Sequence, residues 1–170
     1  MKQVRAYRRI GTIDGVEVHR SPVSRDIIDA VPEDADLISR TQLEAYEEMV
    51  ADAYLGIKEQ HTFVIRENGQ VLGILVGFFV GDSAYREEYE ELGYVLQEVL
   101  SSHAYIDALE VYEKRRGVGR KLFQAFEKWA KERGAVGIAG SPMGNMARMF
   151  DEAMGMAPHP DDDELWVKQI

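Results

Sequence analysis

Cysteine is absent from the 170 residues. No disulfide framework or Cys-based zinc site can therefore form, and no thiol can serve as a nucleophile. Long apolar runs are absent too: the most apolar stretch, residues 71–80, is ten residues, too short to span a bilayer. It reads as a buried strand. The opening MKQVRAYRRI carries basic residues without the apolar run of a signal peptide behind them. These absences point to a soluble, cytoplasmic protein with no membrane partner. The length fits one domain over residues 1–170, large enough to bury about two thirds of its unfolded surface. Hydrophobic residues at 45% and charged residues at 29% are ordinary for a globular chain.

Positive charge is scarce overall, with a net charge of −10, yet it is concentrated. Residues 26–111 hold 4 basic and 19 acidic side chains, whereas residues 112–133 hold 8 and 3. The dense island is Lys114, Arg115, Arg116, Arg120 and Lys121. An acidic body repels phosphate polymers over most of its surface, which argues against a nucleic-acid partner. The island suits a small polyanion, or else is the solvated face of a helix.

Periodicity supplies the elements. Residues 4–19 hold one or two strands around an Asp14-Gly15 turn, and Thr41 with Glu44 forms a capping box before an amphipathic helix over 41–55. Residues 61–66 and 71–80 are strands joined by a tight Asn68-Gly69 turn. Residues 83–100 are helical, 104–111 a short apolar strand, and Val118, Leu122, Ala125, Phe126 and Trp129 mark a helix ended by Gly134. A small-residue strand over 135–139, a helix over 144–154 ended by Gly155 and a strand over 164–170 complete the order. The fold class is α/β with α+β character, a central mixed sheet flanked by helices.

The chemistry gathers at Lys114-Arg115-Arg116-Gly117-Val118-Gly119-Arg120-Lys121, between an apolar strand and an amphipathic helix. Glycines at a helix start let a ligand approach the backbone, and first-turn amides have no partner inside the helix. With the positive end of the helix dipole they form a phosphate site, which flanking Arg and Lys strengthen. The loop lacks the Gly-Lys-Ser/Thr of a P-loop and the third glycine of a dinucleotide fingerprint.

Tyr105 through Gly119 with Lys121-Leu122-Phe123 resembles the signature segment of the GNAT N-acetyltransferase superfamily. Lys114-Arg115-Arg116-Gly117-Val118-Gly119 stands on the family's Arg/Gln-x-x-Gly-x-Gly/Ala loop, with Lys114 as a departure. Asn145, Ala147, Phe150, Met154, Gly155 and Met156 match its following helix and corner, and Asp151 falls where many members carry a tyrosine acid. The resemblance is close over 104–156, the expected cofactor core, and architectural over 1–80. It marks the helix at 83–100 as an insertion, open between plain packing, a lid and a homodimer surface.

The resemblance implies acetyl-coenzyme A as cosubstrate and an amine, on a small molecule or peptide, as acceptor. Backbone groups of Leu109, Glu110 and Val111 would hold the pantetheine arm like an added strand. Amides of Arg115, Arg116, Gly117, Val118, Gly119, Arg120 and Lys121 would hold the pyrophosphate, with Asn145 and Phe150 lining the other side. Phe150 reads more readily as ordinary core. A lysine-like amine must lose its proton before attack, at a cost of about 4–5 kcal/mol at pH 7. Glu110 is the expected base and Asp151 the residue at the acid position; Asp107 and His103 lie nearby. Simple alternation puts Glu110 and Asp107 on opposite faces of the strand. A backbone amide of that strand is the expected oxyanion donor.

No metal site is expected: His19, His61, His103 and His159 lack mutual ligand spacing, and the acidic run at 161–164 lacks the pattern of a calcium loop. Met143, Met146, Met149, Met154 and Met156 read as flexible core filler beside the cofactor. Two other readings stay open. One is a coenzyme A-binding sensor without turnover, suggested by the missing tyrosine; the other is an interaction module docking a partner through the tyrosine-rich helix at 83–100.

Overall fold

A computed structural model describes residues 8–22, 41, 59–79, 94–114 and 116–170. Two hairpins set its first half, each dictated by two residues. Asp14 and Gly15 take φ of 49° and 82°, joining β1 (Arg8–Ile13) to β2 (Val16–Pro22). Asn68 and Gly69 take 51° and 78°, joining β3 (Glu59–Glu67) to β4 (Gln70–Phe78). Two consecutive left-handed residues make the turn whose twist matches paired strands, and Asp, Asn and Gly tolerate it best. Both turns fall where the sequence places them.

The chain continues with α1 (Tyr94–Ser102), β5 (His103–Val111), α2 (Val118–Glu132), β6 (Gly137–Gly140), α3 (Asn145–Ala153), β7 (Ala157–His159) and β8 (Asp162–Gln169). The strands form one mixed sheet in the order β1-β2-β3-β4-β5-β6-β8-β7. Among the described residues only the β5–β6 pair is parallel, as expected for strands joined through a helix. The expected helix over 41–55 lies, apart from Thr41, outside the described residues, as do residues 83–93 of the inserted segment. The rest of that segment, residues 94–100, is helical, and the helix runs on to Ser102. β7 was not anticipated: three residues containing a proline carry no strand signal, and they pair only at the sheet edge.

α2 builds the core on one face of the sheet. Its Leu122, Phe123, Ala125, Phe126, Trp129 and Ala130 are buried with Val16, Val18, Phe63, Leu75, Ala104 and Ile138. Phe63 meets Phe126 edge-on at 5.4 Å and Trp129 at 5.7 Å, a favoured aromatic geometry. The helix lies this close because β4 presents glycine beneath it: a Cβ on Gly77 would fall 2.6 Å from Phe126. On the other face Val64, Ile74 and Val76 are fully buried, and Val99 of α1 packs with Ala139 and Leu165. The central strands are thus buried on both sides, which explains the unbroken apolar reading of residues 71–78.

Two expectations need correction. Met154 and Met156 are buried, but Met143, Met146 and Met149 are 90%, 77% and 70% exposed and are no part of the core. Helical spacing identifies an apolar stripe without identifying what covers it. The second correction concerns β5. Val76 pairs with Ala108 but Gly77 pairs with Ile106, so Asp107 is the extra residue of a β-bulge. Simple alternation does not survive a bulge, and Asp107 and Glu110 are not assigned to opposite faces by it.

Candidate active site

The end of β5 is tied to β4 by the N–H groups of Tyr112 and Glu113, both donating to the Leu72 carbonyl at 2.8 and 3.3 Å. The chain then turns through Gly117, whose φ of 71° and ψ of 18° place it in the left-handed region just before α2. The Lys121 N–H donates to the Gly117 carbonyl at 3.1 Å, closing the first helical turn. No side chain caps this helix and its first turn holds no acidic residue. The N–H groups of Val118, Gly119 and Arg120 therefore have no acceptor within the helix. Lys114, Arg116, Arg120 and Lys121 are exposed around this end, so unscreened donors and positive charge coincide. Arg116 also pairs with Glu67 at 2.6 Å, both half-exposed. Arg115 lies outside the described residues.

Gly119 is needed for a different reason. A Cβ there would lie 3.0 Å from the Phe150 ring and 3.4 Å from Val111. The first turn of α2, the last residue of β5 and the middle of α3 thus meet around one missing side chain. Phe150 is half-buried and edge-on to Phe123 at 6.4 Å.

β5 and β6 form a fork. β5 pairs with β4 from Tyr105 to Val111, but with β6 only from His103 to Ile106, opposite Gly137 to Gly140. Because the Tyr112 N–H faces β4, alternation within the stretch beyond the bulge turns the backbone groups of Ala108 and Glu110 the same way. Those of Leu109 and Val111 face the opposite edge. Among the described residues no strand pairs with β5 on that edge beyond Ile106. An extended ligand can add there as a strand would.

Side chains flank this opening from both faces of the sheet. Glu110 lies across from Ile74 and is half-buried, and the Tyr112 hydroxyl donates to its Oε2 at 2.6 Å. Asp107 occupies the bulge with one carboxylate oxygen buried. From the α2 side, α3 begins after Gly144 with exposed Asn145, and its least exposed positions are Ala147, Phe150 and Asp151. Spaced at three to four residues, these share one face. Burial pushes the Asp151 carboxyl up to about 6. Its backbone is fixed by the helix end. The Met156 N–H donates to the Asp151 carbonyl at 2.9 Å and the Gly155 N–H to Glu152 at 3.0 Å, with Gly155 left-handed at 94°. That pair of bonds is a complete Schellman cap.

The geometry thus gathers Leu109, Glu110, Val111, Gly117, Val118, Gly119 and Phe150 around the fork and the helix start. Asn145 and Asp151 are carried by the adjoining α3. His103 is buried at the far end of β5, with Nδ1 2.7 Å from Ser102 Oγ and Nε2 3.2 Å from the Gln169 side-chain amide. Burial lowers its pKa. That is a structural role. Sequence reasoning missed the Tyr105–Ser141 contact, in which the Tyr105 hydroxyl donates to Ser141 Oγ at 2.9 Å; only the observed fork brings these residues together. Among the described residues no cluster of His, Cys, Asp or Glu could hold a metal, and no helix is long and apolar enough to cross a membrane.

Residues 32–156 match the acetyltransferase (GNAT) family. No curated protein sequence matches the chain. Among solved structures, a GNAT family acetyltransferase from Brucella melitensis in complex with acetyl-CoA is similar at 13% identity and a TM-score of 0.46, covering 90% of this chain and 88% of that one. The PaiA N-acetyltransferase from Thermoplasma acidophilum in complex with coenzyme A is similar at 10% identity and 0.47, covering 78% and 71%. The aminoglycoside N-acetyltransferase AAC(6')-Iy in complex with CoA is similar at 19% and 0.44, covering 68% and 78%. The chain belongs to the acetyltransferase (GNAT) family, N-acetyltransferases that draw on acetyl-coenzyme A.

Proposed function

We propose that this protein transfers an acetyl group from acetyl-coenzyme A to a primary amine, the amine attacking the thioester directly. The observation that carries the reading is the uncapped, acid-free start of α2 behind left-handed Gly117, placed at the end of a strand with an open edge. A diphosphate fits this donor set, since it accepts several N–H bonds and complements the helix dipole. In this reading the amides from Arg115 to Arg120 take the pyrophosphate, with Arg116, Arg120 and Lys121 adding charge; the Lys121 N–H, expected from the sequence to join them, is committed to the Gly117 carbonyl. Leu109 and Val111 hold the pantetheine arm along the β5 edge, the backbone of Glu110 being turned to β4 instead, and Asn145 and Phe150 line its other side. Residues 1–170 act as one domain with its cofactor core at 104–156.

Glu110 serves as the base, accepting the ammonium proton directly or through water, while Tyr112 orients its carboxylate. A backbone amide of β5 stabilises charge developing on the carbonyl oxygen. Asp151 supplies the proton that neutralises the departing sulfur. Its carboxyl, raised to about 6, retains a proton well above the range of an ordinary aspartate, and a thiolate is the stronger base.

A free-thiol assay with acetyl-coenzyme A across an amine panel tests the reading. Wild type is expected to release thiol with at least one amine. Gly117→Glu, which puts bulk and negative charge where the pyrophosphate lies, is expected to abolish release while the protein remains folded. Unchanged turnover in that variant overturns the assignment, and coenzyme A binding without turnover on any amine replaces it with a sensor.

A further inference from the structure

The last paired residues of the β5–β6 fork are Ile106 and Gly140. The next residues on either side of the gap are Asp107 and Ser141. Ser141 is exposed, and two residues earlier Ala139 packs on Val99 and Leu165, on the sheet face away from α2. Tyr105 belongs to that same face: it packs against the Val99–Ala139–Leu165 cluster and stacks on Phe78 at 5.4 Å with an interplanar angle of 25°. From this anchored position its hydroxyl spans the fork and donates to Ser141 Oγ at 2.9 Å. A hydroxyl that accepts a hydrogen bond is a better donor of its own, because the two bonds polarise each other.

We infer that Ser141, held by Tyr105, donates a hydrogen bond to the thioester sulfur and stabilises it as the carbon–sulfur bond breaks. The inference rests on the acetyl-transfer reading, since an arm added along β5 from Val111 through Leu109 ends at the crotch between Asp107 and Ser141. In the step concerned the ammonium proton has already passed through Glu110 to solvent; the neutral amine nitrogen bonds to the acyl carbon and its remaining surplus proton passes to Glu110. The carbon–sulfur electron pair stays on sulfur, where the Ser141 O–H meets it, and the neutralising proton comes from Asp151. α3, which carries Asp151, lies on the α2 side of the sheet and the hydroxyl pair on the other, so the two act without competing for one position. Tyr105 is a positioning residue and does not meet the sulfur.

Ultraviolet titration of the thiolate of coenzyme A bound to the whole protein tests this without turnover. At fixed pH, Ser141→Ala is expected to lower the thiolate-to-thiol ratio of the bound ligand about tenfold, as for loss of a hydrogen bond to a charged acceptor. Ser141→Thr, which keeps the hydroxyl, is expected to restore it, and Tyr105→Phe to lower it about threefold through loss of polarisation. In the thiol-release assay the same Ser141→Ala loss should appear in kcat with the amine KM unchanged. Bound coenzyme A that titrates identically in wild type and Ser141→Ala overturns the role of Ser141 while leaving the acetyl-transfer reading intact. Failure of wild type to bind coenzyme A overturns both.

Discussion

α2 and α3 carry the same kind of amphipathic stripe and end in the same way, at a left-handed glycine, yet they do opposite things. α2 buries eight of its fifteen residues and lies against β3, β4 and β5. α3 buries none of its nine. α3 is held at one point by Phe150 against Phe123 and the Gly119 gap, and at its C-terminal end by the Schellman cap with buried Met154 and Met156 behind it. The difference teaches a division of labour. α2 is framework, and its rigid start presents backbone donors; α3 is a lightly anchored arm carrying Asp151, able to adjust without disturbing the core. Elements with few buried apolar contacts are those that open at least cost.

The comparison breaks most visibly through stability. Phe126→Ala in α2 removes a fully buried ring wedged over Gly77 and is expected to cost about 3–5 kcal/mol in denaturant unfolding. A cost below about 1 kcal/mol would show that α2 is not the framework.

Asp151→Asn sharpens the comparison at the next level. General acids contribute about 100-fold or more, so thiol release below pH 6 should fall by about that factor. As pH rises through about 6 the wild-type carboxyl loses its proton, and the two profiles should converge. Stability moves the other way. Between the ordinary aspartate value of 3.8 and about 6 the folded state binds more protons than the unfolded one, so wild-type stability declines across that window as pH rises. The asparagine variant lacks the decline and should be more stable at pH 7, by about 1 kcal/mol once solvent screening of this half-exposed group is allowed for. Parallel unfolding curves from pH 4 to 7 in the two proteins would contradict this.

The smallest effect is expected at Met149, 70% exposed on α3. Met149→Ala should change stability by no more than about 0.5 kcal/mol, although its sequence spacing is as helical as that of Phe126. A loss above about 2 kcal/mol would mean that α3 is packed as tightly as α2.

This contrast also marks what the sequence discloses. Asp14-Gly15 and Asn68-Gly69 are legible because two adjacent residues dictate the turn. The start of α2 is legible because glycine and basic charge fall within eight residues and an apolar stripe follows at once. The exposure of Met143, Met146 and Met149 is not legible, since periodicity reports a stripe and never the surface opposite it. The bulge at Asp107 depends on pairing with Val76 and Gly77 some thirty residues away, so alternation along β5 misassigns the faces. Tyr105 and Ser141 are thirty-six residues apart and meet only because β5 and β6 part where they do.

The central claim is that the backbone N–H groups opening α2 hold a diphosphate. A crystal structure of the protein with coenzyme A tests it most directly. The account predicts pyrophosphate oxygens within hydrogen-bond distance of the N–H groups of Val118, Gly119 and Arg120, beside Gly117. A pyrophosphate bound elsewhere, with those N–H groups turned to the protein's own chain, would contradict it.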